Sequence, residues 1–240
     1  INEVELLEII DEVFRRFGLR VRILLNNRKI LAGIAEATGR GDRLIDITTA
    51  IDKLEKIGEE KVFDELRSKG FTEDELSKLR PFLALGGSNQ DKLQALKDLL
   101  ASNSEGLKGI EELEYILDHI DRLDLQAELI VDLSLARGLS YYTGAILEVK
   151  AIDATMGSIS GGGRYDNLTG IFGLDGLSGV GISFGADRIY DVLLELGLFP
   201  SEAEIGTQVL CANFSEEDAA SLMPVVARLR REGIRSEIYP

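Results

Sequence analysis

The sequence predicts an α+β fold: an antiparallel sheet flanked by helices, carrying a helical insertion and followed by the start of an α/β unit. Three changes of texture along the 240 residues predict it. Residues 42–124 are charged and leucine-rich, with short breaks and no strand pattern. Residues 128–189 are rich in Gly, Tyr, Ser and β-branched residues, the composition of antiparallel strands joined by tight turns. After Pro200 a strand, a helix and a second strand follow in turn.

The elements follow in order. Val4, Leu6, Leu7, Ile10, Val13, Phe14 and Phe17 recur at helical spacing, and Gly18 ends that helix. Residues 20–25 form an apolar strand with Asn26 and Asn27 at its end, and 29–37 form a helix stopped at Gly39. In the leucine-rich stretch the breaks fall at Gly58, Gly70 and the cluster Gly86, Gly87, Ser88 and Asn89. Thr72 and Glu75 have the spacing of a capping box, so a helix begins there. This stretch is expected to be predominantly helical and to make few contacts with the sheet. Beyond it, strands are expected at 129–133, 145–150 and 157–162, and a helix at 186–196 closed by Gly197. In the last unit, strands at 208–212 and 234–239 flank a helix capped by Ser215. Pro224 either kinks that helix or marks a restart. The domains are therefore 1–41 with 125–200, interrupted by 42–124, and then 201–240.

Composition narrows the function classes. The formal net charge of -15 argues against broad, non-specific nucleic-acid binding, though it leaves room for a local basic site. No apolar run approaches the ~18 residues of a membrane span. The single cysteine, Cys211, cannot form an internal disulfide, so a reducing, cytoplasmic setting is the default. With one histidine, His119, on a charged helical stretch, a protein zinc site is not expected. Ile1 is not an initiator methionine and the chain stops at Pro240 as a strand begins, so it reads as a piece of something longer.

Three glycine-rich segments carry the candidate chemistry. They are 136–144, with Arg137, Gly138, Tyr141 and Tyr142; 160–166, with Gly161, Gly162, Gly163, Arg164, Tyr165 and Asp166; and 179–188, with Gly179, Gly181, Gly185 and Arg188. Glycine lets a ligand approach the main chain. Arginine offers a planar fork for phosphate or carboxylate, and tyrosine a flat apolar face with one polar tip. Together they suit a phosphorylated ligand bearing a flat ring. Glycines in strands also mark bulges, but three such segments within about sixty residues argue for a site. Neither standard nucleotide fingerprint is present. The triple glycine lacks the Gly-Lys-Ser/Thr ending, and Gly179, Gly181 and Gly185 have the wrong spacing for G-x-G-x-x-G.

The first segment resembles the Arg-Gly-Leu-x-Tyr-Tyr signature of histidyl-tRNA synthetases, and the second resembles that family's Gly-Gly-Arg-Tyr-Asp signature. The third is similar to motif 3 of class II aminoacyl-tRNA synthetases, a glycine-rich strand leading into a helix with an arginine. Their order and spacing also match. The resemblance places the family's insertion domain at 42–124 and the start of its anticodon-binding domain after Pro200. It implies a class II sheet, histidine, ATP and tRNA(His) as substrates, Mg2+ carried mainly on the ATP phosphates, no protein-bound metal site, and a homodimeric parent enzyme.

By the same resemblance Arg137 reaches the reacting carboxylate and α-phosphate. Tyr141 and Tyr142 line the histidine pocket, with Gly161, Gly162 and Gly163 as its floor. Arg188 holds the γ-phosphate, and Gly181 and Gly185 let adenine and ribose lie against the sheet. Arg137, Tyr142, the glycine strand and Arg188 are expected to share one concave face. Arg164, Tyr165 and Asp166 are given no definite role. Motif 1, motif 2 and the upstream acidic residue of the family are not found in the sequence. The chain by itself is therefore expected to be inactive. The alternative within this fold is the synthetase-like regulatory subunit of ATP phosphoribosyltransferase, a control protein of histidine biosynthesis. An unrelated sugar- or nucleotide-binding module leaves three ordered motifs unexplained.

Overall fold

A computed structural model of the chain describes residues 1–136, 141–199 and 206–239. The chain forms two units, Ile1–Leu196 and Gly197–Pro240.

The first unit is built on a five-stranded sheet. Its strands are β1 (Val21–Asn27), β2 (Glu128–Val131), β3 (Ala145–Ala151), β4 (Ser160–Tyr165) and β5 (Gly179–Phe184), in the order β2-β1-β3-β4-β5. Three of the pairings are antiparallel, as the sequence leads one to expect, but β2 runs parallel to β1. The reason lies in the connection. A parallel neighbour needs a long crossover, and the whole helical stretch lies between β1 and β2.

Helix α1 (Asn2–Arg16) closes one face of the sheet. Val4, Leu7, Ile10 and Phe14 form its buried stripe, and the Phe14 ring meets Phe184 of β5 at 5.9 Å between centroids. Each such side chain contributes roughly 1.5–3 kcal/mol by leaving water. Gly18, at φ +67°, then turns the chain into β1. That strand continues past Leu25 through Asn26 and Asn27, both fully buried.

Residues between the first two strands are helical. They form α2 (Arg28–Ala37), α3 (Leu44–Ile51), α4 (Leu54–Ile57), α5 (Glu59–Ser68), α6 (Glu73–Leu83), α7 (Asn89–Leu99) and α8 (Ser104–Ile120). Thr72 and Glu75 form the expected capping box of α6, and Ser88 with Asp91 forms a second one on α7.

The expectation of few contacts between this stretch and the sheet fails at its last two helices. Helix α8 lies along α2 so closely that a Cβ on Gly33 would sit 2.9 Å from the Gly106 Cα. From α8, Glu112 accepts a 2.8 Å hydrogen bond from Asn27 of β1. Helix α7 grips the sheet edge, where Asn89 Nδ2 donates to Leu129 O and Asn89 Oδ1 accepts from Val131 N–H, both at 2.8 Å. The cause is the parallel edge strand, whose outer polar groups need partners, and α7 supplies them.

Helix α9 (Ala186–Glu195) follows β5 directly. The second unit holds β6 (Val209–Cys211), α10 (Glu216–Arg231) and β7 (Ser236–Ile238), with the two strands parallel. Ser215 caps α10 by accepting from Asp218 N–H. The helix runs through Pro224 without a restart, its neighbours Met223 and Val225 being exposed. Water can satisfy the carbonyl that the proline leaves without a donor. Among the described residues no helix is long and apolar enough to cross a membrane.

Candidate functional site

The strand register divides the sheet into two faces. Ile23 and Leu25 of β1, Val149 of β3, Gly162 and Arg164 of β4 and Phe184 of β5 point toward α1 and α8. Asn26, Ile146, Glu148, Gly161, Gly163, Tyr165, Gly181 and Ser183 point the other way. On that second face lies a cleft of about 300 Å³, lined by Leu135, Tyr142, Glu148, Gly161, Ser183 and Arg188 among others.

Of the residues singled out from the sequence, Tyr142, Gly161, Gly162, Gly185 and Arg188 line this cleft. Arg137 lies outside the described residues; Leu135 and Tyr142 are both on the cleft wall. Tyr141, Gly163 and Gly181 are not on the lining. Tyr141 stands edge-on to Tyr142 at 4.9 Å and to Tyr165 at 5.9 Å, completing an aromatic cluster. Gly181 lies under Tyr165, whose hydroxyl is 3.0 Å from where a Cβ would be.

The three consecutive glycines do different work. A Cβ on Gly163 would come within 2.5 Å of Ala145 O and 2.9 Å of the Tyr142 ring. Only glycine lets that ring lie on the strand. On Gly161 a Cβ would meet only Leu147 O at 3.2 Å, so this position is the bare floor open to a ligand. Gly162 faces the opposite way, against Gly181 O and Ile182.

Burial, reinforced by the neighbouring Tyr141 and Tyr165, pushes the Tyr142 phenol up to about 12. It therefore keeps its proton throughout the neutral range and offers a neutral hydroxyl. At the other end of the cleft, Arg188 sits in the first turn of α9 and donates to Ser158 O at 2.6 Å. A guanidinium beside a helix N-terminus favours an anion.

The second glycine-rich segment braces the first. Thr143 Oγ1 donates to Asp166 at 2.6 Å, and Asp166 N–H donates back to Thr143 Oγ1 at 3.1 Å. Thr143 N–H also donates to Arg164 O at 2.8 Å. Arg164 in turn pairs with Glu3 of α1. Burial raises the Glu3 carboxyl, but the Arg164 hydrogen bond, a backbone bond and the Arg164 charge outweigh it and hold Glu3 below its ordinary range. Arg164 and Asp166 thus fix the backbone that carries the two tyrosines.

Two cleft-side residues escaped the sequence reading. Glu148 is the carboxylate of the lining, in register with Gly161 and about 4.0 Å from Lys150. The period-two alternation of β3, with Ile146, Glu148 and Lys150 on one face, is the signal that could have found it. Asn26 is the other; in the sequence it marks only the end of an apolar strand.

The arrangement joins an apolar, tyrosine-lined end with a bare backbone floor and a cationic end. It suits a small flat polar group linked to a phosphorylated one, held without a covalent bond.

Comparison with known proteins bears on the same residues. The family model described as histidyl-tRNA synthetase matches residues 2–189. The histidine–tRNA ligase of Porphyromonas gingivalis is 68% identical over 239 residues, covering 100% of this chain and 53% of that protein. That of Phocaeicola vulgatus is 58% identical over 240 residues, again covering 53% of its length. The chain spans about half the length of the curated relatives it matches. Among solved structures, histidyl-tRNA synthetase from Nostoc sp. PCC 7120 superposes with a TM-score of 0.78 at 31% identity, over 100% of this chain and 57% of that one. An ATP phosphoribosyltransferase regulatory subunit/histidyl-tRNA synthetase from Bacillus halodurans gives 0.63 at 18% identity over 98% of this chain and 59% of that one, a likeness of fold alone.

Proposed function

The chain belongs to the histidyl-tRNA synthetase family, and from that premise we propose that it forms the histidine-specific half of a histidine–tRNA ligase active site. In the whole protein a carboxylate oxygen of histidine attacks the α-phosphorus of ATP. The bond to pyrophosphate breaks, and histidyl-adenylate forms. The terminal ribose hydroxyl of tRNA(His) then attacks the acyl carbon, and AMP leaves. No protein nucleophile is needed; positioning and charge stabilisation supply the rate.

In this reading Tyr141, Tyr142 and the strand of Gly161, Gly162 and Gly163 form the histidine end. The neutral Tyr142 hydroxyl suits a hydrogen bond to an imidazole nitrogen, which selects histidine over an apolar isostere. Arg137 stabilises charge gathering on the α-phosphate. Arg188 binds the γ-phosphate, Gly185 leaves room for the adenosine, and Gly181 serves the same end by letting Tyr165 lie flat. Mg2+ comes with the ATP phosphates. Of the whole enzyme this chain then holds part of the catalytic domain at 1–41 and 125–200, the insertion at 42–124, and the start of the anticodon-binding domain at 201–240. The enzyme is a cytoplasmic homodimer. The regulatory-subunit alternative is supported only by likeness of fold.

The observation that carries the reading is the convergence of Tyr142, the open floor at Gly161 and Arg188 on one cleft. The test is histidine-dependent exchange of labelled pyrophosphate into ATP by the whole protein, with this chain alone beside it. The whole protein is expected to exchange with histidine and with no other amino acid. The chain alone is expected to fall more than tenfold short. It contains no counterpart of the family's motif 2 arginine or acidic imidazole reader, and each lost charge partner costs roughly 10²–10³ in rate. Exchange by the chain within about tenfold of the whole protein contradicts this placement of the machinery.

A further inference from the structure

The cleft wall that precedes the tyrosines is held by polar side chains that the reaction itself does not use. Asn26, at the end of β1, is fully buried. A buried amide costs free energy unless its groups find partners. Here Nδ2 donates to Leu135 O at 2.9 Å and to Leu133 O at 3.5 Å, while Oδ1 accepts from Asn27 N–H at 2.8 Å. An apolar residue could fill the same space, so what the amide adds is the link between β1 and the wall.

The same segment is anchored from its other flank. Asn89 bonds Leu129 and Val131 as a neighbouring strand would, and Lys92 Nζ donates to Val131 O at 2.7 Å. Residues 129–135 are thus gripped by β1 on one side and by α7 on the other. Leu135 lines the cleft together with Ile146 and Tyr142. Ile146 is the register partner of both Asn26 and Gly163, and the Tyr142 ring lies on Gly163. Asn26 therefore acts on the tyrosine end of the cleft. The Arg188 end rests on β4, β5 and α9.

We propose that Asn26 is a positioning residue for the histidine end of the cleft, with Asn89 and Lys92 as the second anchor of the same wall. The inference rests on the histidine-activation reading above. Asn26→Asp is the sharp perturbation. It keeps the shape and the acceptor toward Asn27, but turns an oxygen toward the carbonyls of Leu133 and Leu135. A displacement of about 1 Å at a reacting group costs on the order of 10²-fold.

Pyrophosphate exchange by the whole protein is therefore expected to lose ~10- to 100-fold in kcat/KM for histidine. KM for ATP is expected to stay within about twofold, because the other end of the cleft has its own supports. An Asn26→Asp protein with histidine kinetics within about twofold of wild type overturns the proposal, as do equal losses for both substrates. Should Asn26→Asp fail to fold, the pair Asn89→Ala with Lys92→Met carries the test. A rise of about threefold or more in histidine KM with ATP KM unchanged supports the proposal, and no rise overturns it. A wild-type protein that does not activate histidine sinks the functional reading and this proposal with it. An active wild type with unaffected variants sinks this proposal alone.

Discussion

Gly163→Ala puts the geometry of the glycine strand to a quantitative test. The new methyl would sit 2.5 Å from Ala145 O and 2.9 Å from the Tyr142 ring. Ordinary carbon contact begins near ~3.5 Å, so the ring must retreat by about 0.6 Å and the strand must also yield. Overpacking of this kind costs roughly 1–3 kcal/mol of stability. The retreating ring is the one that lines the cleft, and misplacement approaching 1 Å costs on the order of 10²-fold in rate. Gly161→Ala is the matched control, since its methyl meets only Leu147 O at 3.2 Å and otherwise points into the open floor. Thermal unfolding and pyrophosphate exchange of the two whole-protein variants separate the effects. Gly163→Ala should lose stability and ~10- to 100-fold in kcat/KM for histidine, whereas Gly161→Ala should lose activity at nearly unchanged stability. A Gly163→Ala protein that melts and turns over like wild type would show that Tyr142 does not rest on that strand.

Other expectations follow from the same geometry. Arg188→Ala should raise KM for ATP ~10-fold or more and leave KM for histidine nearly unchanged, read by varying each substrate in turn. Tyr142→Phe should cost ~10- to 100-fold in kcat/KM for histidine. It also carries a pH signature, because the folded phenol titrates near 12 against an ordinary 10. A raised pKa means stability fully present below pH 10 and lost as pH climbs toward 12, and the Phe variant should lack that portion of the alkaline loss. Glu3→Gln should cost about 1.5–3 kcal/mol at pH 7 by removing the charged partner of Arg164. Glu3 is held below its ordinary 4.5, so its contribution is present above that value and fades as pH falls below it. Melting of wild type and Glu3→Gln should therefore converge in acid, and a gap that persists there refutes the pairing.

Legibility in the sequence varied with the kind of interaction. The stripe of Val4, Leu7, Ile10 and Phe14 is local and periodic, and it marked α1 directly. Thr72 and Glu75 announced α6 because a capping box lies within one turn. The parallel pairing of β2 with β1 could not be read from either strand, since it depends on the crossover between them. Asn26 and Asn27 mark the end of the first strand in the sequence, and burial beside Leu133, Leu135 and Glu112 carries the strand through them. Pro224 left a kink or a restart open, and the helix continues through it because α10 is exposed there and the missing bond is cheap. At the site, Tyr142, Gly161 and Arg188 stood out because glycine, tyrosine and arginine clustered in the chain. Glu148 did not, because a single acidic residue in an alternating strand resembles any solvated face until the register places Gly161 beside it.

The central claim is that one cleft holds histidine and ATP end to end. A crystal structure of the whole protein with a non-hydrolysable histidyl-adenylate analogue tests it most directly. The imidazole should lie against Tyr142 above Gly161, in reach of the phenol, with the adenosine running toward Gly185 and Arg188. An analogue bound in the opposite sense, or bound away from this face of the sheet, would contradict the account.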